Sequence, residues 1–223
     1  MNKKISATVI INGLIVISFL IYLAVPKKGG GGTLNREDLL ENYSLNPESS
    51  WVDWSYQVVT SQFFHGSVVH LLVNCVLIFF IGGELSRKKV LSEKEICFLF
   101  FVCGAFGGGI QVALTSSLPD LYALKKTVGS GFGLMALFGA WAFAARDSNQ
   151  RLYLLFFPFR SFSPMESFFV VAGFFCVLFV LRLGSIWYSP LADLGMLVSL
   201  FSGFFWAYSR DTPWTKITDT DLL

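Results

Sequence analysis

The sequence predicts an all-α membrane protein whose six transmembrane helices form a bundle. Of the 223 residues, 54% are hydrophobic and 14% are charged, whereas a soluble domain carries about a quarter charged residues. Six apolar segments alternate with polar connections, and a helix needs about 20 mostly apolar residues to cross the ~30 Å hydrocarbon core. The formal net charge of +2 is too small to indicate a nucleic-acid partner.

The four cysteines all lie inside apolar segments, at Cys75, Cys97, Cys103 and Cys176. Cysteine in such a position behaves as a small hydrophobic residue. The spacing matches neither a metal site nor a disulfide framework. We therefore expect the protein to hold no metal and no cofactor.

The first apolar segment, residues 5–25, contains no charged residue and follows Lys3 and Lys4. A cleaved signal peptide is the competing interpretation. The apolar part is long for a signal peptide, however, and no small-residue cleavage pattern follows it. We therefore predict that this segment is the first transmembrane helix.

Five further spans are predicted, at 67–83, 96–114, 128–145, 167–181 and 190–208. All six belong to a single domain that covers residues 1–223, with a polar tail at 209–223. The loop 26–54 is the longest connection, and Trp51 and Trp54 at its end favour the headgroup level. We therefore expect this loop to lie on the membrane surface, with a short helix near 35–42.

Small residues mark two of these spans as surfaces for close helix packing. The third span contains Gly104, Gly107, Gly108 and Gly109. In the last span, Gly195, Ser199 and Gly203 recur every four residues and so lie on one helix face.

The distribution of basic residues predicts the orientation of the bundle. With six spans, both termini lie on one side of the membrane, together with the second–third and fourth–fifth loops. These segments carry eleven Lys and Arg, against six in the opposite loops. Because basic residues favour the cytoplasmic side, we expect cytoplasmic termini, and spans two, four and six then all begin at the outer face.

Polar residues collect near the outer ends of these three spans. His70 and Asn74 are four residues apart and share one face of span two. Ser130, flanked by Gly129 and Gly131, opens span four, and Asp193 lies in the first turns of span six. Polar groups inside a membrane are costly and tend to mark function. The alternative is that they join neighbouring helices, and that the glycines only permit close packing.

This pattern resembles the rhomboid family of intramembrane serine proteases. The run Thr60-Ser61-Gln62-Phe63-Phe64-His65, followed by His70 and Asn74, is similar to the second transmembrane helix of that family. The glycine-flanked Ser130 resembles the nucleophile motif Gly-x-Ser-Gly, and Ala192-Asp193-Leu194-Gly195 resembles the final helix, which typically reads Ala-His-x-Gly. The resemblance covers about residues 34–208.

The resemblance implies a role for each of these residues. Ser130 is implied as the nucleophile, and His70 and Asn74 as the groups that stabilise the oxyanion. Two positions depart from the family pattern. Val128 replaces the first glycine of the nucleophile motif, and Asp193 stands where the family has the histidine that acts as base.

The aspartate changes the expected chemistry. A serine hydroxyl needs a base, and histidine with a pKa of about 6.5 is better suited than aspartate at about 3.9, although burial raises the pKa of a carboxyl group. His70 can serve as base only by leaving its oxyanion role. Alternatively, Asp193 has no catalytic role and is simply stabilised by the helix dipole, since it lies in the first turn of a helix capped by Ser189 and opened by Pro190.

Two functions therefore compete. The first is an intramembrane serine endopeptidase that cleaves transmembrane segments of client proteins, with Asp193 as a weakened or atypical base and with Phe168, Phe169, Phe174 and Phe175 of span five in a mobile lateral wall. The second is a pseudoprotease that binds transmembrane clients without cleaving them. A transporter is a distant third, because the polar residues collect at one end instead of along a pathway. The expected partners are client proteins and the lipid bilayer.

Overall fold

A computed structural model of the protein describes residues 6–25, 36–117, 126–153, 160–182 and 190–210. These ranges are mostly helical, as predicted. The helices are α1 (Ala7–Ala24), α2 (Arg36–Tyr43), α3 (Trp51–Thr60), α4 (Val68–Arg87), α5 (Glu93–Phe98), α6 (Gly104–Ser117), α7 (Gly131–Ala144), α8 (Pro164–Arg182) and α9 (Pro190–Ser209). The strands β1 (Leu152–Tyr153) and β2 (Ser161–Phe162) pair in antiparallel orientation.

Five helices in the described part of the chain are long and apolar enough to cross a membrane. One of them is the continuous helix Glu93–Ser117, in which the π-helical segment Leu99–Cys103 joins α5 to α6. The fourth predicted span, 128–145, corresponds to α7, whose 14 residues extend only about 21 Å at about 1.5 Å per residue. The helix ends differ from the predicted boundaries by up to four residues.

The long polar loop is partly helical. Helix α2 covers most of the short helix expected near 35–42, and α3 continues beyond the predicted end of the loop. The side chain of Gln57 is buried and donates to the carbonyl of Asn42 and the hydroxyl of Ser49, which joins α3 to the preceding segment. The predicted cap Ser189 and the tail from residue 211 onward lie outside the described residues.

Helix α7 occupies the centre of the bundle. All its residues are buried except Met135, and it packs against α4, α6, α8 and α9. Its contact with α9 is made backbone to backbone. A Cβ atom added to Gly139 would lie 2.0 Å from the carbonyl oxygen of Leu200, and one added to Gly203 would lie 1.9 Å from that of Ala136. Only glycine therefore fits at either position.

Helices α6 and α9 approach each other in the same way. A Cβ atom on Gly107 would lie 2.0 Å from Ser199 Oγ, and one on Gly195 would lie 2.8 Å from the carbonyl oxygen of Gly107. The predicted stripe of small residues on α9 is thus confirmed as a packing surface, with Gly195 and Ser199 against α6 and Gly203 against α7.

Polar contacts place the start of α1 and the end of α9 at the same end of the bundle. The backbone N–H of Ala7, at the start of α1, donates to the carboxylate of Glu93, at the start of α5. Arg210, just after α9, pairs with Glu95 at 2.9 Å. The Ser86 hydroxyl, in the last turn of α4, also donates to Glu93, so α4 and α9 both begin at the opposite end. Helix α7 begins there as well, because Gly131 lies beside Met196 in the first turns of α9.

We predict that Gly203→Ala destabilises the bundle by about 1–3 kcal/mol, because the added methyl group has no space against the α7 backbone and forces the helices apart. The measurement is thermal unfolding in detergent micelles. Gly173→Ala is the matched control, since a Cβ atom there meets nothing within 4 Å. Equal melting temperatures of the two variants would contradict the proposed contact.

Candidate functional site

Hydrogen bonds to three segments fix the chain that leads into α7. Thr127 and Leu45 exchange two backbone hydrogen bonds, of 3.0 and 2.9 Å. The side-chain amide of Gln111 on α6 donates to the hydroxyl of Thr127 at 2.7 Å. The N–H of Gly129 donates to the carbonyl oxygen of Ser61 at 2.9 Å. Ser130 therefore has a defined position at the start of the central helix.

The two glycines that flank Ser130 have different structural requirements. Gly129 has φ +119°, a conformation that L side chains rarely adopt. A Cβ atom there would also lie 2.5 Å from Cε1 of the His70 ring. At Gly131 the nearest atom to an added Cβ would be the terminal methyl of Met196, which can rotate away. Glycine is therefore required at 129 and is less strictly required at 131.

The hydroxyl of Ser130 contacts the imidazole of His65. The distance from Oγ to Nε2 is 3.3 Å, and both residues are buried, with 0% and 1% of their surface exposed. The other ring nitrogen, Nδ1, lies 3.3 Å from the carbonyl oxygen of Phe63. Because a carbonyl oxygen only accepts hydrogen bonds, Nδ1 carries the proton. The lone pair of Nε2 is then available to the serine hydroxyl.

Two further donors converge on the same nitrogen. Nδ2 of Asn74 lies 3.1 Å from His65 Nε2, and the backbone N–H of Ser130 donates to it at 3.4 Å. Three polar groups thus surround one lone pair. Ser130 and Asn74, both predicted as site residues, are brought together through an imidazole to which the sequence pattern assigned no role.

His70 lies beside this cluster. Its ring is 5.0 Å from that of His65 in an edge-to-face arrangement, and it faces the backbone of Gly129. His70 is thus next to the predicted nucleophile loop, whereas the imidazole in contact with the Ser130 hydroxyl belongs to His65. His65 stands in the turn before α4, five residues ahead of His70. The five-residue spacing between the two histidines is the feature of the sequence from which His65 could have been identified.

Asp193 is held by a different partner. Both oxygens of its carboxylate contact Nη1 of Arg182, at 2.9 and 3.0 Å. The Asp193 side chain is 5% exposed. In the ranges that the structure describes, its carboxylate makes no hydrogen bond to Ser130. It lies one turn before Met196, the neighbour of Gly131, and so belongs to the same end of the bundle.

The environment of His65 favours its neutral form. Burial, and to a smaller degree repulsion by the neighbouring His70, lower the pKa of His65 to about 4. The imidazole is therefore uncharged at neutral pH, consistent with its position as an acceptor of hydrogen bonds.

Across the described part of the chain, no group of three or more His, Cys, Asp and Glu side chains is arranged to hold a metal ion.

A family model described as the rhomboid domain matches residues 53–210, which is more than half of the chain. The protein belongs to the rhomboid family. The matched region begins in α3 and includes the whole candidate site, and the predicted family membership is thereby confirmed. Together with the five long apolar helices, it identifies a multi-pass integral membrane protein. No curated protein matches the chain significantly.

We predict that the Arg182–Asp193 pair contributes measurably to the stability of this rhomboid protein. Arg182→Gln leaves a nearly buried carboxylate without its guanidinium partner and costs about 3 kcal/mol. The double variant Arg182→Gln/Asp193→Asn is less destabilised than Arg182→Gln alone, because the unpaired charge is removed. Unfolding in detergent of the two single variants and the double variant gives the coupling energy.

The pair between Arg210 and Glu95 provides the control for this cycle. The Arg210 side chain is 55% exposed, so Arg210→Gln is expected to cost about 1 kcal/mol or less. Additive effects of Arg182→Gln and Asp193→Asn, with no coupling energy, would rule out a stabilising pair.

Proposed function

We propose that this rhomboid-family protein is an intramembrane serine endopeptidase that cleaves transmembrane segments of client proteins. In this proposal Ser130 is the nucleophile and His65 is the general base. The observation that carries the proposal is the contact between Ser130 Oγ and His65 Nε2, with Nδ1 of the same ring turned to the carbonyl of Phe63. This arrangement supplies an oriented lone pair at the hydroxyl, which nucleophilic catalysis by serine requires.

The first chemical step transfers one proton. As Ser130 Oγ attacks the carbonyl carbon of the client peptide bond, its proton moves to His65 Nε2. The Phe63 carbonyl continues to accept from Nδ1–H and so stabilises the imidazolium. That proton then passes to the leaving amine, and water hydrolyses the acyl-enzyme through the same base. A neutral carbonyl stabilises an imidazolium less than a carboxylate does, and a base with a lowered pKa is weak. We expect slow turnover.

The same proton transfer frees donors for the oxyanion. Before it, Asn74 Nδ2 and the N–H of Ser130 both point to Nε2 of His65. Once Nε2 carries a proton it no longer accepts hydrogen bonds, so these two groups lose their acceptor at the moment when the oxyanion forms. We assign them, with His70 beside Gly129, to stabilisation of that negative charge.

Asp193, which the sequence suggested as the base, receives a different role in this proposal. Both oxygens of the Asp193 carboxylate contact Arg182, and within the described ranges the carboxylate makes no hydrogen bond to the Ser130 hydroxyl, so it is not placed to take the serine proton. We propose that its contact with Arg182 joins the end of α8 to the start of α9. The pair would hold the predicted lateral wall next to the site.

We further propose that α7 crosses the membrane as span four and so completes the six spans of one domain covering residues 1–223. A helix surrounded by other helices does not need the full thickness of the bilayer, and its start can lie below the membrane surface in a cavity reached by water. The excess of basic residues supports cytoplasmic termini. The loop 26–54 would then lie on the outer surface.

Access to Ser130 requires movement, because the residue is fully buried. Helix α8 is the proposed moving wall. Its Phe168 packs against Phe204 of α9 with ring centroids 4.6 Å apart, whereas Phe169 and Leu181 are 65% and 73% exposed and face outward. Separation of α8 from α9 would admit a client helix from the lipid.

A pseudoprotease is the second candidate. The observation that favours it is that Asp193, which the sequence motif suggested as the base, is engaged by Arg182 while Ser130 is fully buried. The same cavity and wall would then bind a transmembrane client without hydrolysis.

A fluorophosphonate probe that reacts with activated serines separates the two candidates. We expect labelling of the wild-type protein that disappears in Ser130→Ala. Labelling falls about 100-fold or more in His65→Gln, because the base is lost, and stays within about tenfold in Asp193→Asn. Circular dichroism of each variant verifies folding.

Other labelling patterns assign the roles differently. Loss of labelling in Asp193→Asn with retention in His65→Gln would make the carboxylate the base. If the wild type is not labelled at any pH, the pseudoprotease is favoured. Cleavage gained in Asp193→His would then identify a protease site that lost only its base.

The pH dependence of labelling gives a separate test of His65. The unprotonated imidazole is the reactive form, and its pKa is lowered to about 4. The labelling rate should therefore be nearly constant between about pH 6 and 8 and decline only as the pH falls towards 4. An ordinary histidine would lose reactivity below about pH 6.5. A decline already at that pH, in protein shown to be folded, would contradict a base in this environment.

A further inference from the structure

A groove at the end of the bundle opposite to Ser130 is lined by both apolar and charged side chains, the combination that a phospholipid requires. It has a volume of about 330 Å³ and lies between the last turns of α4, the C-terminal half of α7 and the segment that enters β1. The side chains that line it include Phe80, Ile81, Trp141, Leu152, Glu84 and Arg151. Glu84 is ten residues beyond Asn74 on α4, so the groove is about 15 Å from the Ser130 cluster along the helix axis.

The apolar side of the groove suits an acyl chain. Phe80 is 67% exposed and stands as a wall, while Ile81 and Trp141 are nearly buried and form the floor. Helix α7 is six residues shorter than α4, and a short helix beside a longer one leaves a recess at the edge of the bilayer. Lipid is the molecule available to fill such a recess.

The polar side of the groove carries both signs of charge. Glu84 accepts a hydrogen bond from Gln150 at 2.9 Å and pairs with Arg87, and its side chain is 19% exposed. Arg151 is 60% exposed, and its contact with Glu166 is long, at 3.5 Å. A ligand that fits must therefore offer a negative group to Arg151 and a positive group to Glu84, next to an apolar chain.

We propose that this groove binds an ethanolamine phospholipid. Its phosphate accepts hydrogen bonds from the guanidinium of Arg151, its primary ammonium donates to the carboxylate of Glu84, and one acyl chain lies against Phe80 and Trp141. A choline headgroup has no N–H to donate to Glu84. A glycerol headgroup has no positive charge, which leaves the lipid phosphate facing the carboxylate. The site is independent of the proposed proteolytic function.

Lipid binding to the purified full-length chain tests this assignment. The protein in detergent is incubated with equal amounts of palmitoyl-oleoyl phosphatidylethanolamine, phosphatidylcholine and phosphatidylglycerol, and the bound lipid is counted by native mass spectrometry. We expect phosphatidylethanolamine to be retained preferentially. Arg151→Gln should weaken its retention by about tenfold, because a charge-assisted hydrogen bond to the phosphate is lost.

Arg160→Gln is the matched control. Arg160 is also exposed and also faces Glu166, at 3.9 Å, but it does not line the groove, so its variant should retain phosphatidylethanolamine as the wild type does. Glu84→Gln should remove the preference for ethanolamine over choline. Equal retention of the three lipids by the wild type would overturn the proposal. So would preferential retention of phosphatidylglycerol, or equal losses in Arg151→Gln and Arg160→Gln.

Discussion

The close approach of α7 and α9 is the contact on which the rest of the structure depends. Glycines at 139 and 203 let the two backbones meet without intervening side chains. In a bilayer, where no hydrophobic effect drives helices together, such contacts supply dispersion and exclude lipid. They also fix the level at which α7 begins, and therefore the position of Ser130. The site at the N-terminal end of α7 and the recess beside its C-terminal half both follow from a short helix held in the middle of longer ones.

Much of this arrangement could be predicted from the sequence, because it depends on patterns within single segments. Apolar run length located the spans, and four-residue spacing identified the packing face of α9. The partners of individual polar side chains were not predictable in this way. The contact between His65 and Ser130 spans 65 positions and depends on the turn before α4, where no periodic pattern constrains the backbone. The same applies to Arg182 and Asp193, since a charge at the end of one span gives no indication of which neighbouring helix it faces.

Asp193, which the sequence motif aligns with the base histidine of the family, has a structural role that can be described from its contacts. An aspartate in this nearly buried position needs a compensating charge, and Arg182 at the end of α8 supplies it. The residue that the sequence suggested as a base is thus one end of an ion pair between two helices. In the proposed mechanism, the pair joins the two helices whose separation admits a client to Ser130.

In the proposed protease, the His65 imidazole beside Ser130 is the group on which the reactivity depends. The burial that lowers the pKa of His65 to about 4 keeps the ring neutral and its lone pair available, but it also makes that ring a weak base, since proton affinity falls together with the pKa. Reactivity then depends on how much the surrounding groups stabilise the imidazolium and the oxyanion. Phe63 contributes a carbonyl to the first, and Asn74 and the Ser130 N–H contribute donors to the second. In the proposed mechanism these donors are bound to the imidazole until it is protonated, so proton transfer and oxyanion stabilisation are coupled through one nitrogen atom.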